Sequence, residues 1–133
     1  HNFKFMVDPG TRFMLHTAAP GKAILAFLPA DECEKILKKM TFKRCSDRTI
    51  TKLRDFRKEL DRVRECGYGV DHAEDLEGQH CVAAPIFNSH GLPTASIWIT
   101  GPSVRVPAED FDDIGNKIAA AALRISERLG YTP

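Results

Sequence analysis

The sequence predicts an α+β fold in which helices pack against an antiparallel sheet. Two stretches, 81–87 and 93–100, alternate with a period of two and are joined by the turn residues Ser89-His90-Gly91, the pattern of a β-hairpin. Residues 51–65 and 107–129 place apolar side chains at helical spacing. The segments run helices first, then strands, then one last helix, an order that suits layers of helix on antiparallel sheet rather than alternating βαβ units.

Phe3 and Phe5 alternate with polar neighbours, Asp8-Pro9-Gly10 marks a turn, and Arg12 to His16 is read as a second strand. A helix is expected from Ala18 to about Leu28, with Pro20 near its first turn, where a missing N–H costs nothing. Pro29 ends it and starts another, whose Asp31 and Glu32 favour the positive helix end. In the helix over 51–65, Leu53, Phe56, Leu60 and Val63 share one face, and Gly67 is placed to stop it in a left-handed conformation. Tyr68 to Ala73 is expected to be a strand and Glu74 to Gly78 an acidic loop. Pro107-Ala108-Glu109-Asp110 opens the final helix, whose predicted buried stripe is Phe111, Ile114, Ile118, Ala121, Ile125 and Leu129.

The 133 residues fit a single domain, 1–133, with an ordinary globular balance of 43% apolar and 28% charged residues. A formal net charge of +1 gives no global field for nucleic acid, which counts against this being a DNA-binding domain. Residues 31–66 hold twelve Lys or Arg against eight Asp or Glu, read as a solvated helical face rather than a nucleic-acid patch. No apolar run reaches the roughly 20 residues of a membrane helix, and no signal peptide opens the chain. The expected setting is therefore cytoplasmic. Cys33, Cys45, Cys66 and Cys81 form no C-x-x-C pair, so reduced, scattered thiols are expected and no metal or other cofactor.

Gly21-Lys22 resembles part of a phosphate loop, but His16 stands where glycine is needed and Ala23 where Ser or Thr is needed. What survives is the start of a helix near Ala19 to Gly21, whose unpaired N–H groups could meet a carboxylate or simply water. Asp71, His72, His80 and Cys81 form a cluster of reactive side chains. A cysteine–histidine pair is conceivable there, as is a metal site, although neighbours His80 and Cys81 point to opposite faces of a strand. The hairpin is two-faced. Val82, Ala84 and Ile86 with Ala95, Ile97 and Ile99 make an aliphatic face to pack on helices. Cys81, Ala83, Pro85 and Phe87 with Thr94, Ser96, Trp98 and Thr100 make a mixed face, suited to a small-ligand pocket or to solvent or a partner.

The ordered set Leu15-His16-Thr17-Ala18, Gly21-Lys22-Ala23, Thr49-Ile50-Thr51, Leu60, Gly67-Tyr68, Asp71, Glu74, Gly78, Cys81-Val82-Ala83-Ala84-Pro85-Ile86, His90-Gly91, Gly101-Pro102, Arg105 and Leu129-Gly130-Tyr131 resembles the effector-binding domain of IclR-type transcription regulators. The resemblance implies a GAF-like antiparallel sheet with packed helices, truncated at its N-terminus. It implies no catalysis, a homodimer or homotetramer, and DNA contact only through an N-terminal winged helix-turn-helix that this chain lacks. It also implies a small organic, sugar-derived or aromatic acid as effector, held at Ala19, Pro20 and Gly21, at Asp71 and Cys81, and at Trp98 and Thr100. Trp98 stands where the family has a small serine, and Pro20 removes a donor, so a larger or flatter ligand, or a narrowed pocket, is expected. Two other readings stand beside this one: a hydrolase using Cys81, and an oligomerisation module whose pocket Trp98 fills.

Overall fold

The computed structural model describes residues 7–133; the strand expected around Phe3 and Phe5 lies outside them. The elements are α1 (Ala19–Leu25), α2 (Ala30–Lys39), α3 (Leu53–Cys66), β1 (Gly69–His72), β2 (Gln79–Phe87), β3 (Pro93–Pro102), a single 3-10 turn (Ala108–Asp110) and α4 (Phe111–Arg128). The strands form one antiparallel sheet in the order β1-β2-β3. Arg12 to His16 is not a strand: it has no regular secondary structure before a turn at 15–17, and His16 is drawn inward by a 2.8 Å contact of Nε2 with the Lys43 carbonyl.

Both faces of the sheet are covered. On one, Val70, Val82, Ala84 and Ile86 pack with Tyr68, Val106, Ile118 and Ala122, so the β2 half of the hairpin's aliphatic face meets α4, with Ile97 at its margin, while Ala95 and Ile99 of β3 are exposed. On the other, Ala19 and Ala23 of α1 pack onto Cys81, Ala83 and Trp98. Behind α1, Leu25, Cys33, Leu37, Phe56, Leu60 and Val63 close a helical cluster with α2 and α3. Three of the four residues predicted to share the face of α3 are fully buried (Phe56, Leu60 and Val63), and Gly67 ends the helix at φ 89°. The basic side chains of this region lie on the outer face, where Arg57 pairs with Glu34, Arg62 with Glu59 and Arg64 with Asp61.

The stripe predicted for α4 is rotated. The buried seam is Gly115, Ile118, Ala122 and Ser126, whereas Ile125 and Leu129 are 38% and 50% exposed. The reason is polar. Ser126 Oγ accepts the Phe87 N–H at 2.8 Å and donates to the Ala122 carbonyl at 2.8 Å. A hydroxyl thus tethers the end of β2 to α4, and a hydrophobicity count would place that serine outside.

α1 reaches the sheet through small residues. A Cβ on Gly69 would lie 2.8 Å from the Ala19 carbonyl oxygen, and one on Gly21 would lie 2.9 Å from the Leu15 carbonyl oxygen. Gly69 lets α1 rest on β1, and Gly21 lets the turn at 15–17 fold back on α1. Lys22 of this helix is fully buried. Its Nζ donates to the Val70 carbonyl at 2.8 Å and to Glu74 Oε1 at 2.6 Å, with Glu59 Oε2 at 3.8 Å. Glu74 Oε2 accepts the His72 N–H at 2.9 Å. The Gly-Lys pair is therefore a structural pin joining α1 to β1 and the loop after it.

Among the described residues no helix is long and apolar enough to cross a membrane.

Candidate functional site

The strand register sets Asp71 opposite Cys81 and Cys81 opposite Thr100. One row across the sheet thus carries a carboxyl, a thiol and a hydroxyl on the face covered by α1. In the next row Gly69 faces Ala83 and Ala83 faces Trp98. Over these rows, where α1 begins, lies a cavity of about 80 Å³ lined by Phe13, Thr17, Ala18, Ala19, Pro20, Asp71, Asp75, Gln79, Cys81 and Trp98. A buried water needs roughly 10–15 Å³ on this measure, so the space holds several waters or a small organic molecule.

Five of the seven residues expected at the site border this cavity: Ala19, Pro20, Asp71, Cys81 and Trp98. Gly21 does not, because its missing side chain makes room for the Leu15 backbone. Thr100 does not line the cavity either. Its Oγ1 receives the Cys81 thiol at 2.9 Å and Gln79 Nε2 at 2.9 Å, so it anchors two lining side chains from the end of the row. Phe13, Thr17, Ala18, Asp75 and Gln79 line the cavity and were not among those seven. Gln79 was within reach, since the alternation that places Cys81 and Ala83 on this face places Gln79 there too. Phe13, Thr17 and Asp75 come from irregular segments with no periodicity to read.

Trp98 forms one wall of the cavity. It is half-buried, and Phe13 meets it edge to face at 6.2 Å and 75°. The ring gives the cavity one flat aromatic side.

Among the described residues the ionisable groups of the lining are Asp71, Asp75 and Cys81. Asp71 is 4% exposed. Its Oδ1 accepts the Glu74 N–H at 2.7 Å, but burial outweighs this bond and pushes the carboxyl up to about 7, with the Glu74 carboxylate adding to the rise and Lys22 opposing it. A carboxyl raised in the folded state contributes stability that is complete below its unfolded value, near 3.8, and is lost as pH climbs through about 7. The melting temperature is therefore expected to fall between about pH 4 and pH 7, and Asp71→Asn is expected to flatten that fall. Equal slopes in the two proteins, by calorimetry, would refute this account of Asp71.

Burial also pushes the Cys81 thiol up, to about 11, with the bond to Thr100 opposing the rise. A nucleophilic cysteine needs the opposite shift and an adjacent base. The neighbouring imidazole lies on the other face: His80 Nδ1 contacts the Val106 carbonyl at 2.7 Å, and the His80 ring meets His72 and Phe111 edge to face at 4.9 and 5.0 Å. The cluster of Asp71, His72, His80 and Cys81 is thus split by the sheet. Among the described residues no three His, Cys, Asp or Glu side chains converge on a metal position.

The loop carrying Asp75 is held from outside. Thr49 Oγ1 donates to the Glu74 carbonyl at 2.6 Å and Ser46 Oγ to the Ala73 carbonyl at 2.6 Å. Ala73 adopts φ 54°, a conformation that costs free energy in a residue with a Cβ and persists where its surroundings fix it.

The family model described as "Bacterial transcriptional regulator IclR C-terminal" matches residues 2–127. The HTH-type transcriptional regulator KdgR of Escherichia coli (strain K12) is 36% identical over 131 residues, which cover 98% of this chain and 50% of that protein. The chain spans about half the length of the curated relatives it matches. The crystal structure of the Thermotoga maritima IclR superposes with a TM-score of 0.90 at 34% identity, covering 98% of this chain and 53% of that one. The PobR inducer-binding domain from Acinetobacter, a double mutant in complex with 3-hydroxybenzoic acid, superposes with a TM-score of 0.78 at 26% identity, covering 92% and 74%.

Proposed function

The chain belongs to the IclR family of bacterial transcriptional regulators, as their C-terminal domain, and from that premise we propose that it senses a small organic acid in the cavity between α1 and the sheet. The observation that carries the reading is the row Asp71–Cys81–Thr100 beneath the start of α1, with an open cavity above it and an aromatic wall at Trp98. Ala19, Pro20, Asp71, Cys81 and Trp98 would touch the effector. Thr100 would act by positioning Cys81 and Gln79, and Gly21 by letting the turn at 15–17 close over the helix. The PobR complex supports an aromatic acid as one member of the class. The flat wall of Trp98 fits such a ring better than a two-carbon acid.

In the full-length protein, contact with DNA would fall to the part that relatives named as HTH-type regulators have beyond the matched half. The +1 net charge of the present chain agrees with that division. A homodimer or homotetramer is the proposed assembly, in a cytoplasmic regulator. Among the described residues β3 is an edge of the sheet with Ile99 exposed, and α4 with its C-cap presents Leu123, Ile125 and Leu129, apolar surface of the kind that subunits cover. The relatives are regulators rather than enzymes, and the raised Cys81 thiol supports a binding role for that residue over a nucleophilic one.

A thermal-shift screen of small aromatic and sugar acids tests this. An acid at a hundred times its Kd should stabilise the domain by about 2.7 kcal/mol, and Asp71→Ala should remove the shift. Acids that stabilise the chain and Asp71→Ala equally would place the effector elsewhere. Turnover of an activated ester, lost in Cys81→Ala, would favour the hydrolase instead.

A further inference from the structure

The lining of the cavity holds carboxyl groups where an anionic ligand would be expected to meet cations. Asp71 and Asp75 both border it. The nearest lysine, Lys22, lies behind Asp71 with no exposed surface, and its Nζ is held by Val70, Glu74 and Glu59. Three side-chain donors of the lining are turned on the protein itself. Thr17 Oγ1 donates to Asp75 Oδ1 at 3.2 Å, and Gln79 Nε2 and the Cys81 thiol both donate to Thr100. Pro20 has no N–H to offer. Above neutral pH a carboxylate entering this space would confront an ionised Asp71 in a low-dielectric setting, where like charges repel strongly.

We propose that an acid effector binds here together with one proton, shared between its carboxyl group and Asp71. This rests on the effector-site reading above and deepens it. The proton comes from solvent: two separate carboxylates and one proton become a carboxylic acid hydrogen-bonded to a carboxylate, and the pair carries one negative charge instead of two. An O–H···O⁻ bond of this kind is among the short, strong ones. Groups facing Asp71 set the balance. Lys22 from α1 favours the ionised form. The backbone N–H groups of Glu74 and Asp75 in the following loop favour it too, and the Glu74 carboxylate opposes it. Cys81 from β2 remains a neutral thiol, and the His80 and His72 rings pack against Phe111 on the far face. Burial already holds Asp71 protonated to near neutral pH, so the protonated partner is at hand without a large rearrangement.

The experiment is isothermal titration of the chain with 3-hydroxybenzoate, gluconate and galacturonate, each beside its uncharged amide, at several pH values between about 6 and 9 and in buffers of differing ionisation enthalpy. For an acid that binds, Kd is expected to rise about tenfold per pH unit above roughly pH 7.5, with close to one proton taken up per ligand. The matching amide should show no such slope. In Asp71→Asn, which keeps an oxygen for the Glu74 N–H and cannot titrate, acid binding should lose its pH dependence. A flat profile in the parent chain overturns proton-linked binding and leaves the effector site standing. A slope that persists in Asp71→Asn takes the proton away from Asp71. If none of the acids binds at any pH while an amide binds, the acid class falls and this inference with it. If nothing binds in the cavity, both readings fall.

Discussion

Lys22→Met is expected to destabilise the domain by about 3–5 kcal/mol, the usual cost of removing one partner of a buried ion pair. Methionine matches the length of the lysine stem, so little packing is lost. What is lost is the charge that Glu74, 5% exposed, pairs with at 2.6 Å. The Val70 carbonyl loses its donor at the same time. Nearby Asp71 would be left with the Glu74 carboxylate as a charged neighbour and without the cation that offsets it. For a domain of this size the melting temperature should drop by roughly 10–20 °C. The pair need not be a net stabiliser compared with an apolar isostere. Lys22→Met combined with Glu74→Gln should therefore recover a substantial part of the loss, because the stranded charge is gone. Urea denaturation of the two variants reads both. A single variant as stable as the parent would show that the pin carries no stability. A double variant no better than the single one would show that the stranded charge is not the cause.

The contrast between Lys22 and Asp71 explains what could be read in advance. Periodicity exposes elements that bury a continuous apolar face. β2, β3, α3 and the helix start at Ala19 were legible for that reason, and so was the hairpin's division into an α4-facing side and a mixed side. From the alternation alone Cys81 and Trp98 fall on one face, and the resemblance to IclR-type effector domains joined Asp71 to them. Polar interior contacts have no such signature. Lys22 reads as half of a failed phosphate loop, yet it is among the most buried side chains of the domain. Ser126 reads as a surface residue of α4, yet it is fully buried and rotates the helix away from Ile125 and Leu129. Arg12 to His16 carries strand-like residues, but His16 is bonded to a carbonyl 27 positions on, and only the tertiary structure supplies that partner. The same limit hid Thr17 and Asp75, which face the cavity from loops, and so hid the excess of acidic groups that gives the pocket its character.

Gly69→Val should be the most damaging single change at the sheet that still leaves every charge in place. Valine has the higher strand propensity, worth up to about 1 kcal/mol in its favour. Position 69 pairs in register with Ala83 in the middle of the sheet. Against that gain, a Cβ alone would lie 2.8 Å from the Ala19 carbonyl oxygen and 3.3 Å from the Ala23 nitrogen. Both are backbone atoms of a helix, so neither can swing aside as a side-chain tip would. Two further methyl groups must be housed in the same contact, and overpacking of this kind costs typically 1–3 kcal/mol and occasionally more. The clash should win, with a net loss of about 1–2 kcal/mol by urea denaturation. The consequence for function follows from what α1 carries. Moving its first turn off β1 moves Ala19 and Pro20 at the cavity, and strains the reach of Lys22 to Glu74. Effector binding should therefore weaken even at temperatures where the variant is folded. Gly69→Ala should do the same on a smaller scale, and an alanine variant more stable than the parent with unaltered ligand affinity would mean that the close approach of α1 to β1 does not hold the site in shape.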